Sequence, residues 1–335
     1  MAPPPYTACI KEPPPVTSQT IAVVLYDDVL LLDVAGPIEV FSVANRYLPV
    51  AHHYQVRTYA PGGRPVRSSC GLVLQADAAL PQVPEAAALL LVPGGPGAYA
   101  RQQPELATWL AAHARQARRW GAVCTGAFLL GAAGLLDGHR CTTHWNYQAR
   151  LASEYPATRV EPDQIYVADG ALLTTGGVTA GIDMALAVVA QDHGKETALE
   201  VAKVLMVVMR RQGGQAPYAP LLAAVLRDDS AIARVQAYVV DHIDQAFSVA
   251  RLAEMATMSA RNFARAFARE VGITPMEYVQ NARIDHARKL LESTDLPLKQ
   301  VACRAGFGSA RHMRLVFAER MGLTPSQYRL QFSYT

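Results

Sequence analysis

Residues 120–128 read WGAVCTGAF, an apolar run that ends at a cysteine and is followed by a small-residue helix start. A strand that turns sharply into a helix exposes the side chain at the turn. Ala122 and Gly126 leave room for this turn, and the N–H of Thr125 can form half of an oxyanion hole. The stretch predicts an elbow that presents Cys124 as a nucleophile or as part of a binding pocket. A helix N-terminus favours a thiolate, so we expect a lowered pKa for Cys124.

The segments around the elbow alternate between strand and helix patterns. Strands are predicted at 20–26, 53–60 and 87–92, a helix at 104–118, a hairpin with its turn at Asp169-Gly170, and an apolar helix from about 179 to 191. The alternation predicts an α/β fold with helices on both sides of a mostly parallel sheet. Ligands of such sheets bind at the carboxyl ends of the strands, where the elbow lies.

Two other segments contribute candidates to the same edge of the sheet. The run VPGGPGA at 92–98 places Gly94 and Gly95 after a strand, where their backbone can approach a ligand closely. Asp33 lies in LLLDVAGPIEVF, near the start of the first predicted helix. An aspartate in this position either acts on a ligand or caps the free N–H groups of its own helix.

Residues 20–195 resemble the PfpI/ThiJ superfamily, which has the class I glutamine amidotransferase-like fold. The likeness rests on the elbow and on TTGGVTAGIDMAL at 174–186. It implies a flavodoxin-like three-layer sandwich. Hydrolytic relatives carry a histidine directly after the elbow cysteine, where this chain has Thr125, so the usual Cys-His dyad is absent. His144 is the nearest substitute in sequence and is kept as a candidate.

The elbow is also similar to that of isonitrile hydratase, which pairs a Cys-Thr elbow with an aspartate near the first helix. The counterparts are Cys124, Thr125 and Asp33. This resemblance implies Asp33 as acid or base and Cys124 as nucleophile. The ligand-binding candidates are therefore Asp33, Gly94, Gly95, Cys124, Thr125 and His144.

The composition excludes several classes of protein. The five cysteines are odd in number and none forms a Cys-x-x-Cys pair, which favours reduced thiols over a disulfide framework or a zinc site. No metal and no cofactor are expected. The N-terminal residues 1–19 contain two Pro-Pro-Pro runs and no apolar segment of the signal-peptide type, so we expect a disordered tail and a cytoplasmic protein without a membrane span.

The positive charge of the chain lies in its last third. Residues 226–335 carry 15 lysines and arginines against 11 acidic residues, whereas residues 1–225 carry 16 against 17. A basic excess confined to one domain suggests that this domain meets a polyanion.

The basic region contains an internal repeat of a helix-turn-helix pattern. Six residues recur at an offset of 50: Ser259, Phe267, Gly272, Thr274, Pro275 and Tyr278 match Ser309, Phe317, Gly322, Thr324, Pro325 and Tyr328. In each copy the serine is a predicted N-cap, and apolar residues at helical spacing form the inner face. A central helix from about Pro275 to Glu292 separates the copies.

The opposite faces of the two second helices carry arginines, which can read guanine edges in the major groove. The predicted DNA contacts of the first copy are Ser259, Arg261, Asn262, Ala264 and Arg265. Those of the second copy are Ser309, Ala310, Arg311 and Arg314. Two such helices spaced by about one DNA turn, roughly 34 Å, enter adjacent major grooves of double-stranded DNA.

Residues 230–330 resemble the AraC/XylS DNA-binding domain through GFGS at 306–309 and the two Gly-x-Thr-Pro-x-x-Tyr segments. That family commonly has arginine where this chain has Leu315. With the PfpI-like domain in front and a GGQAP hinge at 213–217, the whole resembles GlxA-type transcriptional regulators. The resemblance implies a homodimer that senses a small, often nitrogen-containing metabolite, with RNA polymerase as a candidate further partner.

The sequence thus predicts a tail at 1–19, a sensing domain at 20–195, a helical linker with a Gly/Pro hinge at 196–229 and a DNA-binding domain at 230–330. Three hypotheses remain for the elbow. It binds a metabolite without turnover, it hydrates or hydrolyses a nitrogenous substrate, or Cys124 is oxidised as a redox sensor.

Overall fold

The computed structural model describes residues 19–80, 87–100, 103–162, 164–207, 215 and 230–332. The chain divides into two compact units between residues 210 and 211. Of the predicted tail, only Gln19 is among the described residues, and of the predicted hinge only Gln215. Within the described ranges, no helix is long and apolar enough to cross a membrane.

The first unit contains eleven strands within its described residues. They are β1 Gln19–Val24, β2 Tyr54–Ala60, β3 Val66–Arg67, β4 Val73–Leu74, β5 Ala78–Ala79, β6 Leu89–Val92, β7 Trp120–Ala122, β8 Arg140–Cys141, β9 Arg159–Val160, β10 Tyr166–Asp169 and β11 Leu172–Thr175. Seven form one sheet in the order β10-β11-β7-β6-β1-β2-β5. Its pairs are parallel, except for the antiparallel hairpin of β10 and β11.

The central strands are buried on both faces. All four residues of β6 and the last five of β1 are inaccessible, as continuous apolar runs in a covered parallel sheet should be. The short pairs β3-β4 and β8-β9 lie outside this sheet. The sequence patterns did not predict these two-residue strands because they are too short to show a periodicity.

In the described part of the first unit, six helices cover the sheet: α1 Leu31–Ala44, α2 Pro104–His113, α3 Ala127–Ala132, α4 Gln148–Glu154, α5 Ala180–His193 and α6 Lys195–Val204. The helices α1, α5 and α6 contact one another, and α3 contacts both α2 and α4. These two groups are the outer layers of a flavodoxin-like three-layer sandwich. The predicted α/β fold class is confirmed.

One predicted boundary requires correction. The linker was predicted to begin at residue 196, but α6 belongs to the first unit, because Ala198, Val201 and Ala202 are buried in its hydrophobic core. These three side chains lie at i, i+3 and i+4 and form an inward stripe. The stripe is narrow, and the remaining residues of the helix are mostly polar, so the segment looked like a linker.

The second unit is all-helical within residues 230–332. Its helices are α7 Ala231–Asp241, α8 Val249–Met255, α9 Ala260–Val271, α10 Pro275–Ser293, α11 Leu298–Arg304, α12 Ala310–Met321 and α13 Pro325–Phe332. They enclose two separate hydrophobic cores. The long helix α10 contributes Val279 and Ala282 to the first core, and Ile284 and Ala287 to the second. One helix therefore serves both halves of the domain.

Local chemistry explains where the repeated helices begin and end. Ser259 and Ser309 accept hydrogen bonds from backbone N–H groups three residues later, which satisfies one free donor at each helix start. At the other end, Gly272 and Gly322 adopt left-handed conformations that stop the helices. A capping box between Thr274 and Glu277 then starts α10.

The two turns differ in length. Backbone bonds from Thr257 to Glu254 and from Gly306 to Cys303 place these turn residues at an offset of 49, whereas the capping serines lie 50 apart. The extra residue precedes Ser309 and is Gly308. Matched first helices are therefore offset by 49, which explains why the sequence repeat is clear only in its second half.

Candidate ligand site and nucleic-acid interface

The elbow has the strained backbone that its small residues predict. Cys124 follows β7 with a φ of 55° and begins a 3₁₀ turn, Cys124–Gly126, that leads into α3. A Cβ atom on Gly126 would lie 2.2 Å from the carbonyl oxygen of Val92, so only glycine fits there. A non-glycine residue in the left-handed region costs about 1–3 kcal/mol and persists where the surrounding structure enforces it.

Two threonines fix the backbone of the elbow from both sides. The N–H of Cys124 donates to Thr175 Oγ1 at 3.3 Å, and Thr143 Oγ1 donates to the carbonyl oxygen of Cys124 at 2.8 Å. Neither threonine is among the residues that the sequence predicts for the site. Both end a Thr-Thr pair, at 142–143 and at 174–175, and a search for hydroxyls at strand ends would have found them.

The structure brings the glycine loop, the elbow and Asp33 together. The N–H of Gly94 donates to Asp33 Oδ2 at 2.9 Å, and the N–H of Gly95 donates to Thr125 Oγ1 at 2.9 Å. A Cβ atom on Gly94 would lie 2.6 Å from Asp33 Oδ2 and 2.7 Å from the Thr125 nitrogen. The close approach of these three segments therefore requires glycine at position 94.

Asp33 does not cap its own helix. The cap residue of α1 is Leu30, without a side-chain bond, and the Asp33 carboxylate instead bonds across to Gly94. The capping interpretation is therefore wrong. Asp33 is fully buried, and its Oδ1 has no hydrogen-bond partner among the described residues. Burial raises the pKa of this carboxyl to about 7, although the Gly94 N–H opposes the shift.

The expected lowering of the Cys124 pKa is also wrong. Burial, with a smaller contribution from the nearby Asp33 carboxylate, raises the pKa of the Cys124 thiol to about 12. The following helix α3 has only six residues and supplies little dipole, whereas the side chain is almost completely inaccessible. At neutral pH the elbow presents a protonated thiol.

His144 has a structural partner. Its Nδ1 accepts a hydrogen bond from the backbone N–H of Asn146 at 3.3 Å and thereby caps a 3₁₀ turn at Trp145–Tyr147. Its ring packs against Trp145, with centroids 5.3 Å apart, and burial lowers its pKa. In the described part of the chain no hydrogen bond joins His144 to Cys124, so the histidine lacks the position of a hydrolase base.

Tyr99 connects the elbow to a neighbouring cavity. A 2.7 Å hydrogen bond with the Tyr147 hydroxyl, together with burial, raises the pKa of Tyr99 to about 12, and the Cys124 thiol adds a smaller contribution. Tyr99 also lines a cavity of about 480 Å³ together with Phe128 and Arg150. Cavities of this size hold small metabolites.

The second candidate site is the outer face of the two recognition helices, α9 and α12. Phe263 and Phe267 anchor α9 in the first core, and Met313 and Phe317 anchor α12 in the second. The predicted contacts on the opposite face are accessible: Arg261, Asn262, Arg265, Arg311 and Arg314 are exposed, and Ala264 and Ala310 are partly exposed. The capping serines lie at the helix starts beside these side chains.

Comparison with known proteins identifies both halves. Residues 19–191 match the DJ-1/PfpI family, and residues 252–331 match a helix-turn-helix domain. The chain is 30% identical over 311 residues to the HTH-type transcriptional regulator GbdR of Pseudomonas aeruginosa (strain UCBPP-PA14), which covers 93% of this chain and 84% of GbdR. The chain belongs to the DJ-1/PfpI family through its first unit and carries a helix-turn-helix domain in its second. It is a DNA-binding regulator of the AraC type.

Two further relatives of this regulator are informative. The HTH-type transcriptional regulator GlxA of Rhizobium meliloti (strain 1021) is 28% identical over 322 residues, covering 93% of this chain and 95% of GlxA. Isonitrile hydratase of Pseudomonas putida is 38% identical over 181 residues, covering 53% of this chain and 74% of the enzyme. The regulator is therefore similar to two transcriptional regulators over 93% of its length and to an enzyme over about half of it.

Proposed function

We propose that this regulator binds a small, nitrogen-containing metabolite at the elbow site without turning it over, and that binding changes its affinity for DNA. The site consists of Asp33, Thr125, Cys124 and the Gly94-Gly95 loop, with His144 at its edge. A ligand acts in this way if its affinity differs between the DNA-competent and DNA-incompetent forms. The proposal includes a homodimer and RNA polymerase as a further partner.

The burial of the Cys124 side chain is the observation that supports binding without turnover. A cysteine attacks as the thiolate, and the pKa of Cys124 is raised to about 12 by burial and by Asp33. A nucleophilic cysteine normally has a base within hydrogen-bond reach. In the described part of the chain, His144 Nδ1 accepts a hydrogen bond from the Asn146 N–H, and no hydrogen bond joins His144 to Cys124. The same raised pKa removes the basis for a Cys124 redox sensor, since oxidation also proceeds through the thiolate.

The unpartnered oxygen of Asp33 supports a nitrogen-containing ligand. A buried acceptor without a partner costs roughly 1–3 kcal/mol, and an N–H donor of a ligand would recover this cost. Donors favour the ionised form of a carboxylate. Since the pKa of Asp33 is about 7, ligand affinity should increase as the pH rises through neutrality.

A thermal-shift screen of amino acids, betaines and amides tests the sensing proposal, because a ligand of the folded state raises the apparent stability. A hit should lose its effect in Asp33→Asn and keep it in the matched Asp77→Asn, which changes an exposed aspartate of the same unit. Ligand-dependent transcription should survive in Cys124→Ser. If Asp33→Asn responds to the ligand like the wild type at every pH, the elbow is not the binding site.

The relationship to isonitrile hydratase favours a second candidate, in which the regulator also hydrates a nitrogenous substrate. Asp33, with a pKa near neutrality, has the acid strength of a general acid or base. Incubation with an isonitrile separates the two candidates. Formation of the formamide that disappears in Cys124→Ser but not in Cys70→Ser, an exposed thiol, would support turnover.

We also propose that α9 and α12 enter adjacent major grooves, with the serines, arginines and small residues named above as their contacts. The exposed arginines and the N-terminal N–H groups of both helices support this assignment. Operator binding should weaken steeply with salt, and Arg261→Ala should reduce the affinity for the operator more than for random DNA. Equal losses on both DNAs would mean that Arg261 contacts only phosphates.

A further inference from the structure

The two recognition helices carry different chemistry at one matched position. At the offset of 50, Arg265 of α9 corresponds to Leu315 of α12, while Arg261 corresponds to Arg311. Leu315 is 63% exposed. Among the exposed large apolar side chains of residues 230–332, it is the one that lies on a recognition helix; the others are Val240, Met255 and Leu330.

Helix geometry places Leu315 in the centre of the outer face. At about 100° per residue, Arg311 and Leu315 differ by about 40° around the axis and lie about 6 Å apart along it. Arg314 is on the same side, and the anchors Met313 and Phe317 are on the other. Leu315 therefore lies beside two arginines that would bring it against the DNA, and its apolar surface faces water until they do.

The major groove offers one apolar group to such a side chain, the C5-methyl group of thymine. Arg265, at the matched position of the first helix-turn-helix unit, can instead form two hydrogen bonds with guanine. Leucine has no donor or acceptor, so it cannot read guanine and would leave the polar edges of a G·C pair without partners.

Resting on the proposed DNA contacts of α12, we propose that Leu315 is a specificity residue that recognises a thymine methyl group, so that the two units read different bases. The DNA half-site bound by the first helix-turn-helix unit then contains a guanine read by Arg265. The half-site bound by the second helix-turn-helix unit contains a thymine at the corresponding place.

Parallel selections from random duplex DNA test this proposal. One library contains thymine, and the other contains uracil, which lacks only the methyl group. The full-length protein should enrich a thymine in the second half-site from the first library and no base at that place from the second. Replacing that one thymine by uracil in the selected operator should weaken binding about four-fold, the equivalent of about 0.8 kcal/mol for one buried methyl group.

Three variants sharpen the test. Leu315→Ala should lose the uracil effect, because the contact that the methyl group makes is already absent. Leu330→Ala, which shortens an equally apolar but more exposed side chain on α13, should keep it. Leu315→Arg should shift the selected base from thymine to guanine and make the two half-sites more alike.

The outcomes separate the inference from the function on which it depends. If the wild type tolerates uracil at every thymine, or if Leu315→Ala shows the full uracil effect, Leu315 does not read thymine, although α12 still binds DNA. If the wild type enriches no sequence, the proposed DNA contacts fail as well.

Discussion

The first and second helix-turn-helix units share the serines that cap their second helices, a phenylalanine of each core and the glycines that end these helices, and three of their differences are informative. The first has Thr257 in its turn, Arg265 on its outer face and a Tyr278 hydroxyl without a hydrogen-bond partner among the described residues. The second has Gly306, Leu315 and a Tyr328 hydroxyl that bonds to Arg288 and Glu292. The shared residues specify the fold of a unit. The differing ones give each unit its own predicted stability and, under the proposed DNA contacts, its own base preference.

The largest effect is expected from the turn of the second unit. In Gly306→Ala the new Cβ atom would lie 2.1 Å from the carbonyl oxygen of Ile243, in a backbone conformation with a φ of 75°. We expect a loss of roughly 3 kcal/mol in the free energy of unfolding of the second helix-turn-helix unit, since both strain and a backbone clash are introduced. Urea unfolding followed by helical circular dichroism measures it.

Tryptophan fluorescence provides the control for this variant. The three tryptophans of the chain, Trp109, Trp120 and Trp145, all lie in the α/β unit and not in the helix-turn-helix domain. The fluorescence transition should not move. A change of under 0.5 kcal/mol in the helical transition would mean that the second turn tolerates a side chain as the first does.

The next effect concerns recognition. Arg265→Ala should weaken operator binding about thirty-fold, or about 2 kcal/mol, because a bidentate contact with guanine is lost. Arg269→Ala removes the same charge nearer the end of α9, where the side chain is 76% exposed beside Glu270, and should cost less than three-fold. Gel-shift titrations at one salt concentration compare them. Equal losses would assign Arg265 a purely electrostatic role.

The two tyrosines give a smaller contrast. Tyr328 donates to Glu292 and accepts from Arg288 Nε at 3.0 Å, whereas the hydroxyl of Tyr278 is buried without a partner among the described residues. Tyr328→Phe should therefore destabilise the second helix-turn-helix unit by about 1.5 kcal/mol. Tyr278→Phe should be neutral or slightly stabilising. Thermal unfolding of both variants compares the two losses of stability. Equal destabilisation would show that the Tyr278 hydroxyl has a hydrogen-bond partner too.

The smallest effect is expected at Thr257, whose φ of 57° is unfavourable for a β-branched residue. Thr257→Gly should relieve this strain, although the more flexible unfolded chain offsets part of the gain, and we expect a net stabilisation of about 0.5 kcal/mol. Thr257→Ala serves as the control and should change stability little. A loss of stability in Thr257→Gly would mean that the threonine side chain stabilises the turn.

Local chemistry made the helical domain predictable. Serine caps, left-handed glycines and paired phenylalanines act within a few residues, so they can be read from the sequence, and the repeat doubled the signal. The extra residue Gly308 does not show in the repeat, because the six recurring residues all lie from the capping serine onward and share the offset of 50. The bonding difference between Tyr278 and Tyr328 depends on partners 36 and 40 residues from Tyr328, Glu292 and Arg288.

The elbow was predictable in its backbone but not in its electrostatics. Small residues around Cys124 imposed the turn, whereas the thiol pKa depends on burial by distant segments and on Asp33, which is 91 positions away. The same applies to Asp33 itself. Its partner is Gly94, 61 residues away, which no argument from helix capping alone identifies. Thr143 and Thr175 bond to the backbone of Cys124 from 19 and 51 positions away, and only their place at strand ends marks them in the sequence.

The helix α10 joins the two cores within a single turn, since Ala282 packs in the first and Ile284 in the second. Each added residue would turn one half about 100° around the other and move it about 1.5 Å along the axis. The number of residues in α10 would then fix the distance and rotation between the two half-sites of an operator. One residue inserted after Arg283 should change the operator spacing that is bound, while each helix-turn-helix unit keeps its own base preference.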